Sequence, residues 1–244
     1  MKLTVVGYWH GYPESGEATS GYLLEEEDYK ILLDCGSGVL SSLQAYCSIT
    51  DLDAVVLSHY HHDHQADIGA YQYARLINKG MGTNMKEATI YGHQDDEQAF
   101  SKLEYKGVIK AKAYDDHKSL QIGPFLFTFF KTKHPVPCYA MKIESKGKTF
   151  VYTADSSYFP ELAEFAAEAD LLVAECSGYK GDQSAQYGHM TSEDVGKLAN
   201  ISKSKKLVLS HLPHYGNHSQ LVNEVQEQYS GDVTLAFTGL LLNM

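Results

Sequence analysis

The stretch that decides the fold reads Ser58-His59-Tyr60-His61-His62-Asp63-His64, and it directly follows the apolar run Ala-Val-Val-Leu at residues 54–57. Histidines and a carboxylate are therefore crowded together at the end of a predicted strand. Charged imidazoles repel one another, and neutral imidazoles need a partner for each ring nitrogen. A divalent metal meets both requirements, because imidazole nitrogen and carboxylate oxygen are good ligands for Zn²⁺ and related ions. The stretch predicts a metalloenzyme.

The same arrangement, an apolar strand followed by a residue of metal-binding type, recurs three more times along the chain. His134 follows residues 125–130, Asp155 follows 149–152 and His211 follows 207–209. Side chains at strand ends on one side of a sheet can converge on one point. With the early cluster they make seven candidate ligands: His59, His61, Asp63, His64, His134, Asp155 and His211. Seven ligands suit two ions, and Asp155 is the natural bridge because a carboxylate offers two oxygens.

Composition limits the class of protein. The chain has 244 residues with 43% hydrophobic content, which fits a soluble globular protein, and we expect one domain over residues 1–244. Acidic residues number 31 against 20 lysines and arginines, and Arg75 is the one arginine, so extended nucleic-acid binding is disfavoured. No apolar run is long enough to cross a bilayer. The four widely spaced cysteines argue against a zinc knuckle or a disulfide framework, so the cytoplasm is the simplest predicted location.

Strands and helices alternate along the chain. Residues 22–24 and 31–33 predict a hairpin, and residues 54–57 predict a buried strand followed by a helix over 68–77. Thr191-Ser192-Glu193-Asp194 predicts a helix start, because acidic residues follow a hydroxyl N-cap at the positive end of the helix dipole. Further strands are predicted at 3–6, 89–91, 125–130, 139–143, 149–152, 171–174 and 207–209, and further helices up to about 46, over 160–167 and over 220–229. This mixture predicts mixed sheets with helices on their outer faces.

Together these residues resemble the metallo-β-lactamase superfamily. The resemblance rests on His59-x-His61-x-Asp63-His64 and the later single ligands, and it includes Leu33-Asp34-Cys35-Gly36 near the first strands. It implies an α/β fold, a four-layer αββα sandwich of two mixed β-sheets flanked by helices. It also implies that His59, His61 and His134 hold one ion, that Asp63, His64 and His211 hold the other, and that Asp155 bridges them. Asp34 would support a ligand or nearby backbone by hydrogen bonding.

Within that superfamily the chain is most similar to ribonuclease Z and the related phosphodiesterases. The similarity rests on Ala174-Glu175-Cys176-Ser177, Gly188-His189-Met190-Thr191 and Leu209-Ser210-His211-Leu212. In that branch a glutamate after a late strand pairs with a histidine before a helix, which implies that Glu175 pairs with His189. The alternative is that His189 only caps the helix that begins near Thr191. The long arm with which ribonuclease Z grips transfer RNA has no counterpart in this sequence.

The predicted reaction is hydrolysis of a small phosphodiester or nucleotide by water that two divalent ions activate, with Zn²⁺ expected and Mn²⁺ or Fe²⁺ as alternatives. Asp63 is predicted to orient the water and accept its proton. His189, held by Glu175, is predicted to stabilise developing charge or to protonate the leaving oxygen. Three alternatives stay open: tRNA 3′-processing endoribonuclease activity, glyoxalase II-like thioester hydrolysis, and a metal-dependent sensor or binding module without turnover. No membrane partner is expected, and the resemblance allows a homodimer.

Overall fold

The computed structural model describes all residues from Met1 to Met244. They form two compact units, Met1–Asp115 with Phe237–Asn243, and Asp116–Ala236 with Met244. Each unit is built on one sheet of seven strands. No helix combines the length and the apolar character that crossing a bilayer requires. The assignment of residues 1–244 to a single domain stays a prediction.

The sheet of the first unit joins an antiparallel ladder to a parallel one. Its strands are β1 (Lys2–Gly7), β2 (Gly21–Glu26), β3 (Tyr29–Leu33), β4 (Ala54–Val56), β5 (Ala88–His93), β6 (Ile109–Tyr114) and β14 (Leu241–Asn243). In the order β14-β1-β2-β3-β4-β5-β6, pairing is antiparallel as far as β3 and parallel from β3 to β6. The parallel strands therefore end at one edge, and Asp34 and the Ser58–His64 stretch follow two of them there.

The helices of the first unit fix the position of that stretch. They are α1 (Val39–Leu43), α2 (His62–Gln65), α3 (Ile68–Gly80) and α4 (Glu97–Phe100). Ile68 and Tyr71 of α3 are buried in one apolar cluster with Leu23, Leu32 and Val55, which neighbour one another across β2, β3 and β4. Burying a large apolar side chain contributes roughly 1.5–3 kcal/mol. The histidine stretch is therefore held between a buried strand and a helix anchored in the core.

The second unit repeats the same plan. Its strands are β7 (Leu120–Ile122), β8 (Phe125–Lys131), β9 (Tyr139–Ser145), β10 (Lys148–Tyr152), β11 (Leu171–Glu175), β12 (Lys206–Ser210) and β13 (Asp232–Leu235). In the order β13-β12-β11-β10-β9-β8-β7, pairing is antiparallel from β7 to β10 and parallel from β10 to β13. The carboxyl ends of β10, β11 and β12 again share an edge, and Asp155, Glu175 and His211 lie there.

The helices of the second unit are α5 (Pro160–Phe165), α6 (Ser192–Ser202) and α7 (His218–Gln226). The predicted helix start at Thr191 is confirmed. The Thr191 side chain accepts a hydrogen bond from the Asp194 N–H, and the Asp194 carboxylate accepts one from the Thr191 N–H, which is a complete capping box. Such a cap contributes about 1 kcal/mol to the helix and fixes where it begins.

The predicted fold class is confirmed in its elements, since two mixed β-sheets are flanked by helices. Four predicted helix ends are wrong. Helix α1 ends at Leu43 instead of near residue 46, and α3 ends at Gly80 instead of 77. Helix α5 ends at Phe165 instead of 167, and α7 ends at Gln226 instead of 229. Strand β6 was not predicted, because its sequence Ile-Lys-Ala-Lys-Ala-Tyr carries few strand-forming residues.

Candidate metal centre

Four of the predicted ligands lie on the segment between β4 and α3. His59 belongs to the turn that leaves β4, His61 is the N-cap residue of α2, and Asp63 and His64 lie in that helix. His59 and His64 are fully buried and Asp63 is 9% exposed, whereas His62 is exposed. Strand β4 ends at Val56 and helix α2 begins at His62, and the segment buries His59, Asp63 and His64.

Asp34 organises two of these histidines through a buried hydrogen-bond network. Its Oδ2 lies 2.7 Å from His64 Nδ1 and accepts the Ser58 hydroxyl at 2.8 Å, while its Oδ1 accepts the Ser58 N–H at 2.7 Å. The Ser58 hydroxyl oxygen lies 3.0 Å from His59 Nδ1. Because the serine proton is donated to Asp34, the serine oxygen accepts the Nδ1 proton of His59. Both imidazoles then carry hydrogen on Nδ1, which leaves the lone pair on Nε2 for a metal.

The donor atoms of the first unit are spaced as ligand pairs. His59 Nε2 lies 3.1 Å from His61 Nδ1, and His64 Nε2 lies 3.7 Å from the Asp63 carboxylate. Metal–ligand bonds of about 2.0–2.2 Å place two donors on a common ion roughly 3–4 Å apart. Both separations therefore fit a bound ion, and the donor set of imidazoles and one carboxylate fits zinc-like metals.

Close backbone approaches hold Asp63 in place. The Gly11 N–H donates to Asp63 Oδ2 at 2.9 Å. The Asp63 carbonyl passes so close to Gly36 that a Cβ on that glycine would lie 2.0 Å from the carbonyl oxygen. Gly36 in the loop after β3 is thus required by packing against helix α2.

Asp155 of the second unit lies between two histidines. Its Oδ2 is 3.9 Å from His134 Nε2, and its Oδ1 is 3.6 Å from His211 Nε2. All three side chains are buried to 2% exposure or less. His134 Nδ1 lies 3.0 Å from the Gly188 carbonyl, which accepts its proton and again leaves Nε2 as the donor atom. A carboxylate whose two oxygens face different imidazoles is suited to bridging two ions.

Glu175 repeats in the second unit the role of Asp34 in the first. Its Oε2 accepts the Ser177 hydroxyl at 2.7 Å, and the serine oxygen lies 2.9 Å from His211 Nδ1. Its Oε1 lies 3.0 Å from His189 Nδ1 and also accepts the Ser156 N–H at 3.0 Å. One buried carboxylate thus orients one histidine directly and a second one through a serine.

His189 lies near the two predicted histidine ligands of the second unit, His134 and His211. Its ring centroid lies 5.2 Å from that of His134 and 5.4 Å from that of His211. The alternative that His189 caps helix α6 is wrong, because Thr191 is the N-cap residue. His189 is thus oriented through Nδ1 by Glu175.

Electrostatics agree with these roles. Burial lowers the pKa of His134, although Asp155 and the Gly188 carbonyl oppose that shift, so its imidazole is neutral at pH 7, as a metal ligand must be. Burial raises the pKa of Glu175, but the charge of His189 and its hydrogen bond outweigh burial, so the pKa lies below its usual value. Glu175 is therefore an ionised partner for His189.

The sequence did not indicate the parts that support these ligands. Ser58 links Asp34 to His59 by hydrogen bonds, and Ser177 links Glu175 to His211 in the same way. The carbonyl of Gly188 orients His134. The one available signal was position, since each serine lies at the carboxyl end of a parallel strand, beside a predicted site residue.

Comparison with known proteins identifies the family. The sequence model of the family described as "Beta-lactamase superfamily domain" matches residues 29–212, which is more than half of the chain. This chain belongs to that superfamily. "Probable metallo-hydrolase YhfI" of Bacillus subtilis (strain 168) is 46% identical over 241 residues and is aligned over 99% of each chain. The crystal structure of the metallo-beta-lactamase fold protein YhfI from Bacillus subtilis matches with a TM-score of 0.97, over 99% of this chain and 98% of that chain.

Two more distant proteins are similar to this chain, one in sequence and one in structure. The ribonuclease Z of Myxococcus xanthus (strain DK1622) is 22% identical over 304 residues, covering 100% of this chain and 98% of its own. A crystal structure described as a new diphosphatase from the PhnP family has a TM-score of 0.80 at 18% identity and covers 100% of this chain and 97% of that chain. With the buried histidine and carboxylate donors, these comparisons support a metallo-hydrolase of the superfamily.

Proposed function

We propose that this protein is a dinuclear metal-dependent phosphodiesterase that hydrolyses a small phosphodiester or a nucleotide. The observation that carries the proposal is Asp155, whose two oxygens face different histidine nitrogens at 3.6 and 3.9 Å. A carboxylate in this position suits two ions in one site. Two ions suit phosphodiester cleavage, because they can stabilise both the attacking and the leaving oxygen.

In this proposal the seven predicted ligands are divided between two ions. One ion is held by His59, His61 and His134, the other by Asp63, His64 and His211, and Asp155 bridges the two. A catalytic ion takes about three protein ligands, and the first unit offers two suitably spaced donors to each ion. The orientation of His59, His64, His134 and His211 through Nδ1 supports the proposal, since it leaves four Nε2 atoms as ligands.

The chain's own residues then supply substrate positioning and proton transfer. When bound, the ions would lower the pKa of water to about 7 and neutralise charge that develops on the phosphate. Asp63, held by the Gly11 N–H, orients the attacking water and accepts its proton. His189, whose Nδ1 is fixed by Glu175, donates from Nε2 to a phosphate oxygen or to the leaving oxygen.

A second candidate is tRNA 3′ processing, which the similarity to ribonuclease Z favours. The alignment with the Myxococcus xanthus enzyme spans 304 positions, whereas this chain has 244 residues, so 60 positions (304 minus 244) have no residue here. The net charge of −11 also opposes binding of a long polyanion. Both facts favour a small substrate over a transfer RNA.

Turnover of bis(p-nitrophenyl) phosphate by protein loaded with Zn²⁺ or Mn²⁺ tests the proposal. General acid–base groups contribute roughly 10²–10⁴-fold, so Asp63→Ala should lower kcat at least 100-fold. The matched control is His62→Ala, because His62 is exposed between the ligands and should leave turnover unchanged. Precursor transfer RNA and a glutathione thioester are assayed beside the diester. Undiminished turnover in Asp63→Ala, or a clear preference for the RNA or the thioester, would contradict the proposal.

A further inference from the structure

Two chain segments of the second unit run beside each other next to His211. Ser177 on one segment contacts His211 on the other through the serine hydroxyl and Nδ1. Two residues further on, the Tyr179 hydroxyl donates to the Tyr215 carbonyl at 3.0 Å. Tyr215 lies four positions after His211. An extended chain advances about 3.3–3.6 Å per residue, so their backbones lie within about 14 Å. Tyr215 is thus near a predicted metal ligand.

The side chain of Tyr215 is exposed and yet held firmly. The residue is 55% exposed, but its hydroxyl donates to Asp182 Oδ2 at 2.7 Å, and the same oxygen accepts the Tyr179 N–H at 2.8 Å. The rings of Tyr179 and Tyr215 lie 5.5 Å apart. At Gly216, where φ is +77°, a Cβ would lie only 2.4 Å from the Tyr179 hydroxyl. The ring of Tyr215 is therefore fixed at its hydroxyl, at its neighbour ring and at its backbone.

Holding the exposed Tyr215 side chain in one position costs conformational entropy, and linking the two segments does not require an exposed ring. Ordering a side chain loses rotamer entropy, and a ring left in water gains little from burial. Tyr179 links the same two segments by a hydrogen bond and is only 8% exposed, so its ring also gains from burial. Partial burial, with the hydrogen bond and charge of Asp182, raises the pKa of Tyr215 to about 12, so its hydroxyl stays a donor at neutral pH. The result is a firmly held tyrosine that is more than half exposed to solvent.

We infer that the exposed face of Tyr215 is a stacking site for the nucleobase of a nucleotide substrate. The inference rests on the proposed phosphodiesterase function and names the substrate class. A nucleotide carries a planar base one sugar away from its phosphate, and stacking on an aromatic side chain accepts every base because each has a π-face. A quaternary ammonium group also binds aromatic faces, but it is typically surrounded by several rings, and the neighbouring ring of Tyr179 is buried.

Two substrates with the same leaving group test the inference. Thymidine 5′-p-nitrophenyl phosphate and methyl p-nitrophenyl phosphate differ only in the group that stays on phosphorus. Base stacking is worth about 1–3 kcal/mol, and the lower half of that range suits a ring exposed on one side. The wild type should therefore favour the thymidine ester roughly 5- to 30-fold in kcat/KM. Tyr215→Ala should reduce that ratio to near one by raising KM for the thymidine ester alone.

Two further variants separate stacking from structural support. Tyr215→Phe keeps the ring and should retain most of the preference for the thymidine ester. Tyr73→Ala removes a tyrosine on α3 that is 59% exposed, and it should leave kcat/KM for both esters unchanged. A wild-type ratio near one, or an equal loss on both esters in Tyr215→Ala, would overturn the inference while leaving the diesterase activity standing. A stronger preference for p-nitrophenylphosphocholine than for the thymidine ester would overturn it as well.

A binding measurement decides the question even if neither ester is hydrolysed. By calorimetry, thymidine 5′-monophosphate should bind at least 5-fold more tightly than inorganic phosphate, and Tyr215→Ala should abolish that difference. Equal affinities in the wild type would overturn the inference. Absence of ester hydrolysis would instead count against the proposed function, so the two failures are distinguishable.

Discussion

Replacing Asp34 with asparagine tests whether the buried network of the first unit prepares the metal ligands. Asp34 is fully buried and accepts hydrogen bonds at both carboxylate oxygens, from the Ser58 N–H at one and from Ser58 Oγ and His64 Nδ1 at the other. In either orientation of the amide, its NH₂ group faces at least one of these donors. At least one hydrogen bond to a charged acceptor is lost, and a buried donor then faces another donor.

The expected cost follows from those contacts. Removing one partner of a buried charge-assisted hydrogen bond costs about 1.5–3 kcal/mol, so the free energy of unfolding of Asp34→Asn should fall by about 2–3 kcal/mol. Groups that orient metal ligands typically change metal affinity by about 10- to 100-fold, because the histidine loses the partner that fixes its tautomer. Zn²⁺ affinity should fall within that range.

Chelator competition measures the metal affinity and urea unfolding measures the stability. The control is Asp28→Asn, which makes the same chemical change at an exposed residue of the β2–β3 turn and should alter neither quantity. If Asp34→Asn binds Zn²⁺ as tightly as the wild type, the reasoning that Asp34 prepares the ligands is refuted, whatever the stability.

Three other predictions follow from single features. Asp155→Asn keeps one oxygen acceptor, so metal analysis should show a fall from two ions to one per chain, with at least a 100-fold loss of diester turnover; two retained ions would contradict the bridging role. Gly36→Ala pushes a Cβ to 2.0 Å from the Asp63 carbonyl oxygen and should destabilise the protein by at least about 2 kcal/mol, whereas Gly69→Ala on α3, with open space around it, should be neutral or stabilise by up to about 1 kcal/mol. Burial raises the pKa of Glu224, but hydrogen bonds from a serine hydroxyl, a glutamine amide and a backbone N–H outweigh it and lower the pKa. Its ionised form therefore stabilises the fold above the unfolded pKa of about 4.3, so Glu224→Gln should be less stable than wild type at pH 7 but not near pH 3; an equal difference at both pH values in urea unfolding would contradict this.

Much of the fold was predictable because local chemistry and tertiary structure agree. The hairpin of β2 and β3, the strand before His59 and the capped start of α6 each follow from a residue pattern that the structure keeps. Strand β6 could not be predicted, since its pairing with β5 supplies what its own lysine-rich sequence lacks. The end of α1 differs because no sequence signal marks where a short helix stops.

The candidate ligands were recognisable for a different reason. Histidines and aspartates are costly to crowd at strand ends, so His59, His61 and His64 stand out from an ordinary turn. Serines carry no such signal, because Ser58 and Ser177 look like any polar residue after a strand. Their relay function depends on distances to residues far apart in sequence, 24 positions between Ser58 and Asp34 and 34 between Ser177 and His211. Tyr215 was hidden in the same way among 18 tyrosines.

The central claim is that the seven predicted ligands hold two metal ions. A crystal structure of protein purified with Zn²⁺, with anomalous data collected on both sides of the zinc absorption edge, tests it most directly. We expect two zinc peaks per chain, one bound by His59, His61 and His134 and the other by Asp63, His64 and His211, with one Asp155 oxygen on each. A single peak, or two peaks of which neither contacts Asp155, would contradict the account.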